Sequence, residues 1–172
     1  MKSSAIDFRI LTDADLSLIE GWLAQPHVRR WWSPPDEALA EIKQIAGDPA
    51  FECFIVGLDG REVGYLQSYD PHVWSDHPFA DRPRGSCGLD MFIGEPDMVG
   101  QGYGTRIVQA FVARLFAAGV PEALIDPHPD NAAAIKAYAK AGFVAYGESD
   151  TEWGRVLLMR KANPAFSGNH AT

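Results

Sequence analysis

Between residues 100 and 143 the chain carries two blocks that leave little freedom in what it can build. The first, Gly100-Gln101-Gly102-Tyr103-Gly104-Thr105, alternates glycine with larger residues immediately before a helical pattern. Glycine lets the backbone adopt positive φ and lets a ligand approach the amides closely. Free N–H groups at a helix start, with the helix dipole behind them, form an anion site. The second block runs from Asn131 to Gly142-Phe143 and sets Ala134, Tyr138 and Gly142 at helical spacing. Small residues and one phenol therefore share a face. Together the blocks suggest a phosphate-bearing ligand near two helix starts, with a tyrosine hydroxyl at its reactive end.

Two familiar phosphate loops are weighed against the first block. A P-loop ends in Gly-Lys-Ser/Thr, and no lysine separates Gly104 from Thr105. The dinucleotide fingerprint is a closer decoy, since Asp126 follows about 20 residues later at the end of a strand pattern. Its third glycine, however, is Thr105 here, and the chain has too few βα repeats for a doubly wound sheet. A glycine-rich turn without a ligand is the remaining alternative.

With 172 residues the chain suits one α/β domain, and 47% hydrophobic residues suffice for a core. The pattern predicts an edge strand at 7–12, a helix at about 13–25 capped by Thr12, and a helix from Ser33-Pro34-Pro35 to about Ala46. Phe51–Leu58 and Arg61–Tyr69 read as a hairpin across Asp59-Gly60. A long loop over 70–85 precedes a strand at Cys87–Ile93. Then come a helix at 104–118, a strand at Ala123–Asp126, a helix at 131–141, and strands near 143–148 and 154–161, before a polar tail over 162–172.

A formal net charge of −8 argues against a nucleic-acid partner and favours a cationic one. No apolar run approaches a membrane span and MKSSAIDFRI lacks a signal-peptide core, so a cytoplasmic protein is expected. Cys53 and Cys87 are too few for a disulfide framework or zinc site. His27, His72, His77, His128 and His170 show no paired spacing, so no metal is expected.

Asp90 interrupts the apolar strand CGLDMFI, where an unpartnered buried carboxylate is costly. It reads as a functional acid or base, or as a strand-end cap or ion-pair partner. Asp126 reads equally as a helix cap and as a contact for a substrate ammonium. Trp31, Trp32, Tyr65, Gln67 and Tyr69 are candidate walls of a sugar-binding cleft or simply core. Asp76, Asp81, Glu95 and Asp97 read as solvated loop charges, some at an acidic mouth. Lys136 and Lys140 face either cofactor phosphates or solvent.

The glycine loop and the Asn131…Tyr138…Gly142-Phe143 segment resemble the acetyl-coenzyme A site of the GNAT acetyltransferase superfamily. Gly88-Leu-Asp90-Met-Phe-Ile-Gly-Glu-Pro, Leu124-Ile-Asp126-Pro-His-Pro-Asp-Asn131, Trp31-Trp32 and Gly64-Tyr65-Leu66-Gln67-Ser68-Tyr69 are similar to segments of aminoglycoside 6'-N-acetyltransferases. The resemblance spans roughly residues 7–161. It implies a mixed α/β fold, with a largely antiparallel sheet splayed between Cys87–Ile93 and Ala123–Asp126 and with flanking helices. It implies direct acetyl transfer from acetyl-CoA, without metal, to a primary amine of a cationic small molecule.

By the same resemblance Asp90 accepts the amine proton and Tyr138 protonates the leaving thiolate. Met91, Phe92 and Ile93 offer backbone groups to the cofactor arm and the reacting carbonyl. Val99, Gly100, Gln101, Gly102, Tyr103, Gly104 and Thr105 hold its phosphates, while Asn131, Ala134 and Tyr138 contact it from the second block. Trp32, Tyr65, Gln67, Tyr69, Asp90 and Asp126 form the acceptor side. Val99 stands where the family usually has Arg or Gln, which removes a side-chain contact to the cofactor. Other amines (a lysine side chain, a protein N-terminus, a polyamine, a siderophore precursor) are alternative acceptors, and a non-catalytic acetyl-CoA sensor is the alternative of a different class. Monomer and homodimer both remain open.

Overall fold

Alternating apolar residues and tight turns give this chain seven strands in one sheet, ordered β1-β2-β3-β4-β5-β7-β6. The computed structural model describes residues 4–166. The strands are β1 (Ile6–Ile10), β2 (Phe51–Leu58), β3 (Arg61–Tyr69), β4 (Cys87–Ile93), β5 (Glu122–Ile125), β6 (Val144–Thr151) and β7 (Gly154–Ala162). The helices are α1 (Leu16–Leu23), α2 (Pro26–Arg29), α3 (Pro35–Ile45), α4 (Tyr103–Ala117) and α5 (Ala132–Lys140). The sheet is mostly antiparallel, with a parallel β4–β5 pair. That pair stops at Leu89↔Ile125, while β4 runs on to Ile93.

Contacts group the chain into two compact units. One takes in the chain up to Ser68 together with Asp90–Gly104, the other Tyr69–Leu89 together with the described residues from Thr105 onward. In the first unit Ile19, Trp22, Leu23, Val28, Ala38, Ile42, Ile55, Tyr65 and Phe92 form a buried cluster. Each such large side chain contributes roughly 1.5–3 kcal/mol by leaving water. In the second, α4 buries Ile107, Val108, Phe111 and Val112, a stripe at helical spacing.

The stretch expected as one helix over 13–25 forms a 3-10 turn, Asp13–Asp15, followed by α1, which ends at Leu23. Asp15 accepts from the Thr12 N–H at 2.8 Å and the Thr12 hydroxyl at 3.1 Å, which tightens Asp13–Asp15 into a 3-10 turn. Pro26 then forces Gln25 into extended backbone (ψ 134°), and the short α2 starts afresh. At α3 the cap position falls on Pro34 rather than Ser33.

The 70–85 loop is tied down at its base. His72 Nε2 lies 2.8 Å from the Arg82 carbonyl, and since a carbonyl only accepts, that nitrogen carries the proton. The Arg82 guanidinium donates twice to Glu122 on β5, at 2.9 and 2.8 Å, and Arg160 on β7 adds a third bond at 2.8 Å. Burial opposes ionisation of Glu122, but these bonds outweigh it and hold the carboxyl below its usual range. The polar tail beyond residue 166, with His170, lies outside the described residues.

Candidate active site

In the first unit, β3 and β4 bring Tyr65, Gln67 and Asp90 into one hydrogen-bonded row. Alternation along β3 puts Tyr65 and Gln67 on the same face. The Tyr65 hydroxyl donates to Gln67 Oε1 at 2.7 Å, and Gln67 Nε2 donates to Asp90 Oδ2 at 2.9 Å. Burial pushes the Asp90 carboxyl up to about 6, against the Gln67 bond, which favours the charged form. A carboxyl with that value is mostly ionised at neutral pH yet basic enough to take up a proton.

Tyr65 has no exposed surface, so its ring presents no wall to a ligand. It lies among Trp32 and Phe92, at ring separations of 6.1 and 5.5 Å. Trp32 and Phe92 meet edge to face at 5.0 Å, and Trp32 is half-buried. The Phe92 side chain is consumed by the core, which leaves its backbone for other work. Met91 and Ile93 are half-buried.

His27 has no paired spacing in the sequence, and its partner lies far along the chain. Its Nε2 lies 2.7 Å from the Ile93 carbonyl, so it donates there and fixes the end of β4. Glu95 and Asp97 are not free loop charges. Arg61 bridges them at 2.8 Å each, with a further bond to Asp97 at 2.9 Å, and Glu95 also accepts from the Trp22 indole at 2.9 Å. No local signal marks these pairs, because each joins residues more than 30 positions apart.

The glycine loop follows directly. Gly100 and Gly102 adopt φ of 75° and 83°, which L side chains rarely do, and a Cβ at either would meet nothing within 4 Å. The glycines therefore serve the backbone turn and leave the space beside it open. Gln101 donates to the Asp97 carbonyl and pins the loop. Tyr103 and Gly104 begin α4, whose first turn holds no acidic residue. The loop thus has room for an anion and no side-chain charge at the helix start to repel it. Val99 is exposed.

In the second unit, Thr105 donates from Oγ1 to the Ala137 carbonyl at 3.1 Å, joining α4 to α5. Asn131 caps α5, accepting from the Ala134 N–H at 3.2 Å. Because Asn131 holds that position, Asp126 is not the α5 cap; it follows β5, half-buried. Tyr138 is 9% exposed. Tyr69 is also largely buried, its ring lying against Gly88 and 5.4 Å from His77. Lys136 and Lys140 are exposed. No group of His, Cys, Asp and Glu side chains among the described residues is placed to hold a metal. No helix among them is long and apolar enough to cross a membrane.

Residues 12–151 match the acetyltransferase (GNAT) domain model. The chain belongs to the GNAT acetyltransferase family. It is 29% identical over 173 residues to aminoglycoside N(6')-acetyltransferase type 1 of Klebsiella pneumoniae, covering 95% of this chain and 86% of that one. It is 27% identical over 110 residues to the N-hydroxyputrescine acetyltransferase of Acinetobacter baumannii, covering 62% and 52%. Among solved structures, that of the aminoglycoside acetyltransferase AAC(6')-Ib in complex with coenzyme A and kanamycin superposes with a TM-score of 0.85. The sequence identity there is 29%, over 97% of this chain and all of the other. The GNAT chain thus has the mixed α/β fold and the mostly antiparallel sheet with flanking helices that the motif resemblance implied.

Proposed function

We propose that this GNAT chain transfers acetyl from acetyl-CoA to the 6'-amine of an aminoglycoside, as one cytoplasmic catalytic domain spanning about residues 7–161. The observation that carries the reading is Asp90. It sits on β4 directly after the residues paired with β5, with its carboxyl raised to about 6 by burial, in a chain similar along nearly its whole length to 6'-N-acetyltransferases.

Acetyl-CoA, when bound, supplies the thioester. The open loop at Gly100–Gly104 and the α4 amides suit its phosphates, with Val99 and Gln101 lining the approach, and Thr105, Asn131 and Ala134 hold it from the second block. Backbone groups of Met91, Phe92 and Ile93 serve its arm and the reacting carbonyl oxygen. Asp90 takes the proton that the acceptor ammonium must lose, directly or through water, so that the amine attacks as a neutral nucleophile. Tyr138 gives a proton to the departing thiolate, whose thiol pKa of ~8.5 makes that transfer nearly balanced at neutral pH. Trp32, Gln67, Tyr69 and Asp126 serve the acceptor side, and Asp126 attracts its ammonium groups. The acidic balance of the chain favours a polycation and disfavours nucleic acid and anionic membranes.

Product analysis with kanamycin and with paromomycin, which carries a 6'-hydroxyl, tests the regiochemistry. Acetylation of kanamycin alone supports 6'-amine transfer, and equal acetylation of both refutes it. A hydroxylated polyamine is the second acceptor reading, favoured by the similarity to the N-hydroxyputrescine enzyme. Thiol release with that class and none with kanamycin would make it the first.

A further inference from the structure

The Tyr65–Gln67–Asp90 row has a direction. Gln67 has two chemically different ends, and the way it faces decides what Asp90 meets. As arranged, the Tyr65 proton goes to Oε1 and the Nε2 end donates to Asp90. An ionised carboxylate accepts such a bond. A protonated carboxyl accepts it more weakly, through its carbonyl oxygen, and would also need an acceptor for its own proton.

Turning Gln67 over would supply that acceptor, but Tyr65 would then have to receive from Nε2 and send its own proton elsewhere. Its other polar neighbour is Cys53 on β2, a buried free thiol. Sulfur is a weak acceptor, so the reversed arrangement is poor. Tyr65 and Cys53 are also the titratable groups that bear on this row. Burial pushes both upward, so both stay protonated through the working range and neither adds charge beside Asp90.

We propose that Tyr65 is a positioning residue for the acetyl-transfer reaction: acting through Gln67, it holds the amide with its donor end towards Asp90 and so keeps that carboxylate ionised and aimed. The inference rests on the proposed role of Asp90 as base. It assigns Tyr65 a function that its complete burial allows, whereas a contact with the acceptor is closed to it. Gln67 is then the link in the row, and its polar ends are both occupied within the protein. Without the row, burial alone acts on Asp90, and its carboxyl moves further up.

The test is the acidic limb of kcat/KM against pH for kanamycin, paired with carbon-detected NMR titration of the Asp90 carboxyl in labelled protein. Tyr65→Phe keeps the ring and removes the proton, while Gln67→Met keeps the volume and removes both amide ends. Both variants are expected to move the limb and the carboxyl titration upward together by about one pH unit. In Tyr65→Phe activity then falls about fivefold at pH 6 and changes little at pH 8, with the KM for acetyl-CoA unaltered. An unmoved titration in Tyr65→Phe overturns the proposal, even if Gln67→Met shifts. A loss of activity equal at all pH values, with no shift in the NMR titration, overturns it too and makes Tyr65 a packing residue. Failure of the wild type to release thiol with kanamycin sinks the acetyl-transfer reading itself. The NMR titration needs no turnover, so it still decides the proposed bias.

Discussion

The Phe143 N–H donates to the Tyr138 carbonyl at 3.0 Å, and the two rings lie 6.3 Å apart. Gly142, at φ 99°, donates to Ala139 at 3.0 Å in the same turn. This is a Schellman stop, with the glycine in the left-handed position and an apolar contact sealing it. At the other end Asn131 caps the first turn. The Asn131–Phe143 segment is therefore a helix fixed at both ends, and its stop is built on the backbone of the proposed acid. Lys161 closes the arrangement by donating to the Ala141 carbonyl at 2.8 Å.

Gly142→Ala is expected to destabilise the protein by about 1–2 kcal/mol, because an L residue is strained at that φ. The added Cβ also approaches the Lys161 side chain to 3.0 Å, which must give way. Urea unfolding is the check: a lower midpoint at unchanged slope reports lost stability rather than a changed unfolded state. An unchanged midpoint would mean the stop contributes nothing.

Tyr138→Phe keeps the ring packed on Phe143 and removes the hydroxyl. If that hydroxyl protonates the thiolate, kcat falls by up to about a hundredfold, while the dissociation constant of acetyl-CoA changes little. Steady-state kinetics beside calorimetry separates the two. An unchanged kcat with collapsed affinity would make Tyr138 a binding residue.

The local parts of this protein were readable from sequence, and the parts that join distant segments were not. The β2–β3 hairpin has the expected bounds because Asp59 and Gly60 supply the two positive φ values that such a turn needs, at 51° and 83°. Strand β4 was equally legible from its apolar run around Asp90. Tyr65 was a different matter. Alternation gives the face of a strand on which it lies, but Trp32 and Phe92, from far along the chain, cover that face. The His27 bond to Ile93 and the Arg61 bridge to Glu95 and Asp97 have the same character. Gly142 lies between these cases: its place in the motif was visible, while its role as a helix stop required the hydrogen bonds.

Acetyl-CoA is expected to raise the thermal midpoint by mass action. At a hundredfold excess over its dissociation constant the stabilisation is about 2.7 kcal/mol. Differential scanning calorimetry across a cofactor series should show the midpoint rising with the logarithm of concentration. A flat midpoint, with titration calorimetry also silent, would remove the cofactor assignment of the Gly100–Gly104 loop.

The Asp90 carboxylate is maintained against the stability of the fold, and Asp90→Asn should reveal this. Its carboxyl titrates at about 6 in the folded protein, against an ordinary value of 3.8. The unfolded chain therefore releases this proton first, so ionisation favours unfolding from about pH 4 upward, and the penalty is complete above about pH 6. A rise of roughly two units corresponds to at most about 3 kcal/mol. Asparagine carries no charge and can still accept from Gln67. The variant is thus expected to be nearly inactive and yet more stable than the wild type at pH 8, with the advantage shrinking to nothing below pH 4. Asp15 titrates in the opposite sense. The bonds from Arg9 hold it near 2, so its contribution is present above about pH 4 and is lost as pH falls through 2 in both proteins. Urea midpoints measured from pH 3 to pH 8 for the pair test the difference directly. A stability gap independent of pH would show that Asp90 carries no ionisation penalty, and a variant less stable at pH 8 would show that its charge supports the fold.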